Sequence, residues 1–290
     1  MKANEQFLGK DSTFWAYVKL ISEQLGYSQR GQNGLRVYPI HDVINKLATL
    51  EINIEPNIIE EVVDYLNYRA MYLTNHVKDL FMNKDTAKEE FRRLALYHTD
   101  NDFTCSLPLN KQKHEKRDYA YFTGIVNIIT EQTLRRHALA NELTYGEHIV
   151  FDDDPRSLSY IFDEDNKLVG ALSRRFDGAY PSTRNPLAIW EIKEYYYTTT
   201  FGSRIADGVY ETQLDGFELN EISRETGRDV KHIYFIDDYN TWWTMGRSFL
   251  CRVFDMLHKG LVDEVICGRE VLSRWQEVLE ELLLEEVAQR

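Results

Sequence analysis

The chain has 290 residues, 43% hydrophobic and 28% charged, with a formal net charge of −13; that is a globular composition, long enough for one large domain or two modest ones. It holds no run of about 18 apolar residues, its first residues MKANEQFLGKDSTFW lack the apolar core of a signal peptide, and Cys105, Cys251 and Cys267 follow neither CxxC nor metal spacing. A membrane protein, a disulfide framework and a cysteine zinc site are therefore set aside for a reduced, cytoplasmic setting, while the acidic balance argues against nucleic acid unless a local basic patch or bound metal ions offset it.

Up to about Asn101 the pattern is helical. Residues 14–27 carry apolar positions at helical spacing and end near Gly26. A polar glycine loop follows at 28–36, with Arg30 and Arg36 as side chains that can enter a groove. HDVINKLATL continues the helical pattern, and EPNIIEEVVDYLNYRAMYLTNHVKDLF places Ile58, Ile59, Val62, Val63 and Leu66 on one stripe. Residues 85–98 form one more helix. Residues 101–116 are polar, with Lys111, Lys113 and Lys116 close together; they connect a helical region over 1–116 to an α/β region over 117–290, either as a solvated loop or as an arm on DNA.

From Asp118 the spacing predicts a long helix to about 143. Its polar row is Thr123, Asn127, Glu131 and Arg135, either solvent-facing or overlooking a site. Residues 157–176 read as a hairpin turning at Asp163–Asn166, and GAYPSTRNP as a proline-bounded loop. A strand follows, then a helix over 202–227 with Ser203 suited to its cap and Gly227 to its stop. A strand at 231–238, a helix at 241–260 opened by the Trp242–Trp243 pair, a short strand VDEVICG and a terminal helix complete the chain. The order is α, β, β, β, α, β, then α, β, α.

The strand in NPLAIWEIKEYYYTTT is the unusual element, because it sets Glu191 and Lys193 inside an apolar run. Side chains alternate along a strand, so these two share a face about 7 Å apart. A carboxylate and a lysine aimed into one pocket can hold a divalent metal and stabilise a phosphate oxyanion; an i, i+2 ion pair on an edge strand is the plain alternative. Asp177 lies fourteen residues upstream, where a neighbouring strand would bring a second carboxylate to the same hard cation. Its plain alternative is an Asp-Gly turn.

Asp177, then Glu191-Ile192-Lys193, in the order α-β-β-β-α-β over roughly 118–240, resembles the PD-(D/E)xK nuclease superfamily, with Phe176 where the family name has proline. The resemblance implies a restriction-endonuclease-like mixed central sheet flanked by helices, with the N-terminal helical region appended. It implies Mg²⁺-dependent hydrolysis of phosphodiester bonds in double-stranded DNA, with Mn²⁺ able to substitute, and type II restriction by a homodimer as the task. Asp177 and Glu191 would hold the metal and Lys193 would stand by the attacking water. Glu131 would be a further acid, and Gln213 a further residue on the helix after the motif strand. Arg174, Arg175, Arg184 and Arg204, and the hydroxyls of Thr198, Thr199, Thr200 and Ser203, would contact phosphates. RNA, branched or modified DNA as substrate remains open, as does a non-catalytic interaction protein on a nuclease-like fold. No Walker A sequence or dinucleotide fingerprint is present, so no nucleotide cofactor is expected. His232 and His258 read as capping or packing residues, and DDDP at 152–155 as a turn.

Overall fold

The computed structural model describes residues 1–28, 34–111, 118–197 and 202–289; Arg30, Lys113, Lys116, Thr198, Thr199 and Thr200 lie outside them. Four helices come first: α1 (Ser12–Leu25), α2 (Ile40–Thr49), α3 (Pro56–Tyr72) and α4 (Lys84–Asp100). Asp11 caps α1 through Phe14 N–H, and Gly26 ends it at φ 82°. Pro56 opens α3, where a missing N–H costs nothing. The helical pattern after Tyr72 loosens into a π turn, Leu73–Val77, and a 3₁₀ turn, Lys78–Leu80.

The remainder alternates helix and strand: α5 (Tyr121–Ala140), β1 (Tyr160–Phe162), β2 (Leu168–Ala171), β3 (Gly178–Tyr180), β4 (Ala188–Glu194), α6 (Ser203–Thr226), β5 (Lys231–Asp237), α7 (Arg247–His258), β6 (Glu264–Cys267) and α8 (Arg274–Gln289). The expected hairpin forms, but β1 and β2 make a two-stranded sheet of their own. The main sheet has the order β3-β4-β5-β6, antiparallel between β3 and β4 and parallel thereafter. The fold is thus mixed α/β, with an N-terminal helical region and a four-stranded mixed sheet among helices.

Two elements depart from expectation. GAYPSTRNP is not all loop, because Gly178–Tyr180 pairs with β4. Gly178 is there for space rather than for a turn: it faces Trp190, and a Cβ on it would fall inside the buried indole. The outer edge of β3 is paired as well, since Ala179 exchanges both main-chain hydrogen bonds with Asp152 at 2.9 and 3.0 Å. The DDDP turn therefore borders the sheet. The predicted helix at 241–260 also begins differently, with a π turn over Asn240–Met245 before α7; Trp242 and Trp243 are fully buried in it.

Alternation along β4 divides the core. Trp190 and Ile192 face a cluster with Phe122, Ile129, Phe235, Trp275 and Leu279, so α5 and α8 cover that side. Ile189 packs against Leu219 and Ile222 of α6, and Tyr195 joins a cluster with Val209, Tyr234, Phe254 and Leu257. That second cluster continues through Tyr65, Val62 and Phe14, which puts α1 and α3 against α7. A buried ion pair fixes this junction: Arg69 donates to both Asp255 oxygens at 2.9 Å and to Ser22 at 2.9 Å, while Tyr65 donates to Asp255 at 2.7 Å. The helices before residue 116 thus divide, with α4 lying instead on α5.

Overpacking a filled core site costs about 1–3 kcal/mol. Gly178→Ala should lower stability by that amount in urea unfolding; an unchanged midpoint would mean that β3 does not lie under Trp190.

Candidate functional site

A cleft of about 470 Å³ opens beyond the carboxyl end of β4, where open α/β sheets place their ligand sites. It is lined by Asp177 and Glu191–Tyr195, by Ala120 and Thr123 at the start of α5, by Pro108–Lys111, and by Arg204, Asp207 and Glu211 of α6. Carboxylates outnumber cations there five to three.

Register brings the motif together. Gly178 lies opposite Trp190 at the end of the ladder, and Asp177, the residue before it, stays against β4 beside Glu191. The Asp177 N–H donates to Trp190 O at 3.0 Å, and the Ile192 N–H donates to Asp177 Oδ2 at 2.8 Å. Burial, and next the facing Glu191 charge, push the Asp177 carboxyl up to about 7. Its outer side remains open to the cleft, and water there tempers the shift.

Glu191 is only 5% exposed. Lys193 donates to its Oε1, and Arg174 Nη1 donates to its Oε2 at 2.8 Å. Arg174 is itself clamped: its Nε lies 2.9 Å from both Asp215 oxygens and its Nη2 2.5 Å from Oδ2, with the Phe176 ring 4.6 Å away. Burial works against this guanidinium's charge, but Asp215 and Glu191 outweigh it and hold its pKa above the ordinary arginine value. A sequence-expected phosphate contact is in this way occupied by carboxylates.

The other expected residues separate. Glu131 is fully buried but belongs to α5, which covers the Trp190 face, whereas Glu191 and Lys193 point to the α6 face. Glu131 accepts from Thr104 N–H at 2.9 Å and Cys105 N–H at 2.6 Å, and pairs with Arg135. Burial raises its pKa and these N–H donors more than reverse that, leaving it lowered. Asn127 donates to Ser106 O and Arg135 to Asp102 O, so of the polar row on α5 only Thr123 borders the cleft; Asn127, Glu131 and Arg135 stitch down the segment 102–106. Gln213 lies outside the cleft, because α6 presents Arg204, Asp207, Gly208 and Glu211 to it. Arg184 bonds Asn166 and stacks on Phe162 at 3.8 Å, tying down the hairpin. Arg175 is exposed and does not line the cleft; Arg204 does. Ser203 is the first helical residue of α6 and Gly202 its cap. His232 and His258 are buried, as a packing role requires.

Two families match the chain: a domain of unknown function, DUF7690, over residues 1–76, and another, DUF7687, over residues 82–282. The chain belongs to the DUF7687 family. No curated protein and no solved structure matches it. The DUF7687 region starts just ahead of α4 and contains every residue that lines the cleft. The DUF7690 region ends inside the π turn after α3. Among the described residues no helix is long and apolar enough to cross a membrane, and all three cysteines are free and buried.

Sequence reasoning missed Asp215, Glu211, Asp207, Gly208 and Glu194. The α6 residues share one helical face from Arg204 onward, a periodicity that was there to be used. Glu194 accepts from the Thr123 N–H at 2.9 Å, capping α5, whose own cap residue Ala120 has no side-chain acceptor. Burial first, against the N–H groups of Thr123 and Phe122, pushes Glu194 up to about 7.

These contacts generate two expectations. A glutamate with a raised pKa binds more protons folded than unfolded, so its stabilisation is complete below the unfolded value of about 4.3 and is lost as pH rises through about 7. Glu194→Gln keeps an acceptor for Thr123 and should lose less thermal stability than wild type between about pH 5 and pH 8; parallel curves would contradict the burial of this carboxyl. At Gly208 an added Cβ would meet Lys193 Cε at 3.0 Å, while alanine in mid-helix is favoured by about 1 kcal/mol. Gly208→Ala should therefore hold or raise the melting temperature and shift the NMR resonance of the Lys193 ε-methylene. An unmoved resonance would place that side chain elsewhere.

Proposed function

We propose that this protein is a Mg²⁺-dependent endonuclease of the PD-(D/E)xK, restriction-endonuclease-like kind, cutting double-stranded DNA as a homodimer, with type II restriction as its task. The observation that carries this reading is the meeting of Asp177, just before β3, and Glu191 of β4 in one cleft, with Lys193 on the same face of β4. Like charges brought together repel, and a cation between them removes the penalty. The donor set suits Mg²⁺, which takes one or two protein carboxylates and fills its octahedron with water and phosphate oxygens. No group of three His, Cys, Asp or Glu suited to a metal occurs among the described residues.

Asp177 and Glu191 would hold the ion, which supplies a water of lowered pKa and neutralises charge at the phosphate. Lys193 brings its ammonium beside Glu191, where it orients the attacking water and stabilises the oxygens of the phosphate as charge builds. Arg204, on the first turn of α6, adds a positive charge to a helix N-terminus and positions the phosphodiester backbone. The acid excess of the cleft, five carboxylates to three cations, makes metal a precondition for a polyanion to enter.

The same acid excess favours one other reading, a non-catalytic interaction protein whose Glu191 is already satisfied by Lys193 and Arg174. Plasmid and phage DNA incubated with Mg²⁺ or Mn²⁺ separates the two. Wild type should cut, Glu191→Ala should not, and Lys193→Ala should be slower by roughly 10²–10³-fold with its fold intact by circular dichroism. Undiminished cutting by Lys193→Ala would sink the assignment. Inactivity of wild type on DNA, with activity on RNA or branched substrates, would keep the chemistry and change the substrate.

A further inference from the structure

The proposed site leaves open how many divalent ions it takes, and the surroundings of Glu191 bear on that number, which presupposes the metal site of the nuclease reading. Each oxygen of Glu191 is already met by a protein cation, Lys193 at Oε1 and Arg174 at Oε2. Lys193 is part of the motif. Arg174 is not, and it is held far more tightly than a surface arginine. Its Nε and Nη2 are taken by Asp215, its Nη1 by Glu191 and more distantly by Arg175 O at 3.4 Å, and Asp215 is only 4% exposed. A guanidinium has five N–H donors in a rigid fork and does not lose its proton in proteins. Here the fork is directed at two carboxylates rather than at the cleft, whose lining does not include Arg174.

We infer that Arg174, clamped by Asp215, is a built-in cation in the place a second divalent ion would otherwise occupy, so that the site takes one ion, between Asp177 and Glu191. Charge supports the count. Asp177, Glu191 and Asp215 against Arg174 and Lys193 leave one net negative charge. One divalent ion and one phosphodiester bring these five side chains to neutrality, whereas a second ion would leave two positive charges in excess on them. Asp215 serves the same end from α6: it faces the guanidinium from the side away from Glu191 and keeps it from swinging out to solvent or to DNA. Arg174 is accordingly a positioning residue, acting on the ion and substrate through Glu191.

The test is the number of Mn²⁺ ions bound, read by electron paramagnetic resonance and calorimetry without DNA. Only ions abolished by Glu191→Gln in the same background are counted, because Glu191 borders both positions, and this removes binding to the acidic surface. Wild type should bind one per chain. Arg174→Gln frees Glu191 and Asp215 together and should bind two, while Arg174→Lys keeps the charge and should return to one. Two ions on wild type, or one on folded Arg174→Gln, would overturn the inference and leave the nuclease reading standing. No ion on wild type would remove the metal site itself and the inference with it. Should Arg174→Gln fail to fold by circular dichroism, the wild-type count and the Arg174→Lys count still decide, two ions on either being the overturning result.

Discussion

Glu191 lies in the middle of β4 with almost none of its surface exposed, and a carboxylate there is tolerated only because cations reach both of its oxygens. Burying a charge without a partner is far more expensive than burying a neutral polar group. That requirement organises what surrounds it. Arg174 must arrive from the segment after β2, Lys193 must follow two residues on, and Asp215 must stand on α6 to hold the guanidinium in place. Gly208 lets α6 come close enough to touch the lysine stem. On the far side of the strand Trp190 and Ile192 pack against aromatic and aliphatic side chains of α5, β5 and α8, and the buried Glu194 is met by the N-terminus of α5.

Much of the fold was legible because its helices and long strands carry a period. The stripe on α3, the Gly227 stop of α6 and the alternation of β4 are local signals, and the structure places each element within a few residues of its pattern. β3 was not legible: three residues, Gly178–Tyr180, bounded by a proline, are too short to alternate, and the strand exists because Trp190 needs a glycine to lie upon. The site divides along the same line. Asp177, Glu191 and Lys193 are close in sequence once the ladder is drawn, so the pattern located them together. Glu131 was expected as a further acid, but which sheet face a helix covers is a tertiary fact, and α5 covers the other one. The partnership of Arg174 with Asp215 spans 41 residues, and nothing local in either stretch announces it.

The N-terminal helices show a similar dependence on distant partners. Arg69, almost wholly buried on α3, finds Asp255 on α7, 186 residues away. Removing one member of such a pair leaves an uncompensated charge and typically costs about 3–5 kcal/mol. The boundary between the two family matches, at residues 76 and 82, is therefore not a gap in the packing: the core that begins at Phe14 and Val62 runs without interruption into α7 and β6.

The outward pairing of Ala179 with Asp152 bears on what happens when many copies of the chain are crowded together. A sheet edge with open N–H and C=O groups is a template for strands of other molecules, and growth from such edges is a route to aggregates. On β3 the outward-facing donor and acceptor of Ala179 are already taken by the chain's own main chain, and two further acids, Asp153 and Asp154, follow at once. An incoming strand would have to displace Asp152 and tolerate those charges. The short turn that looked like a mere connection thus closes the edge beside the site against the wrong kind of self-association.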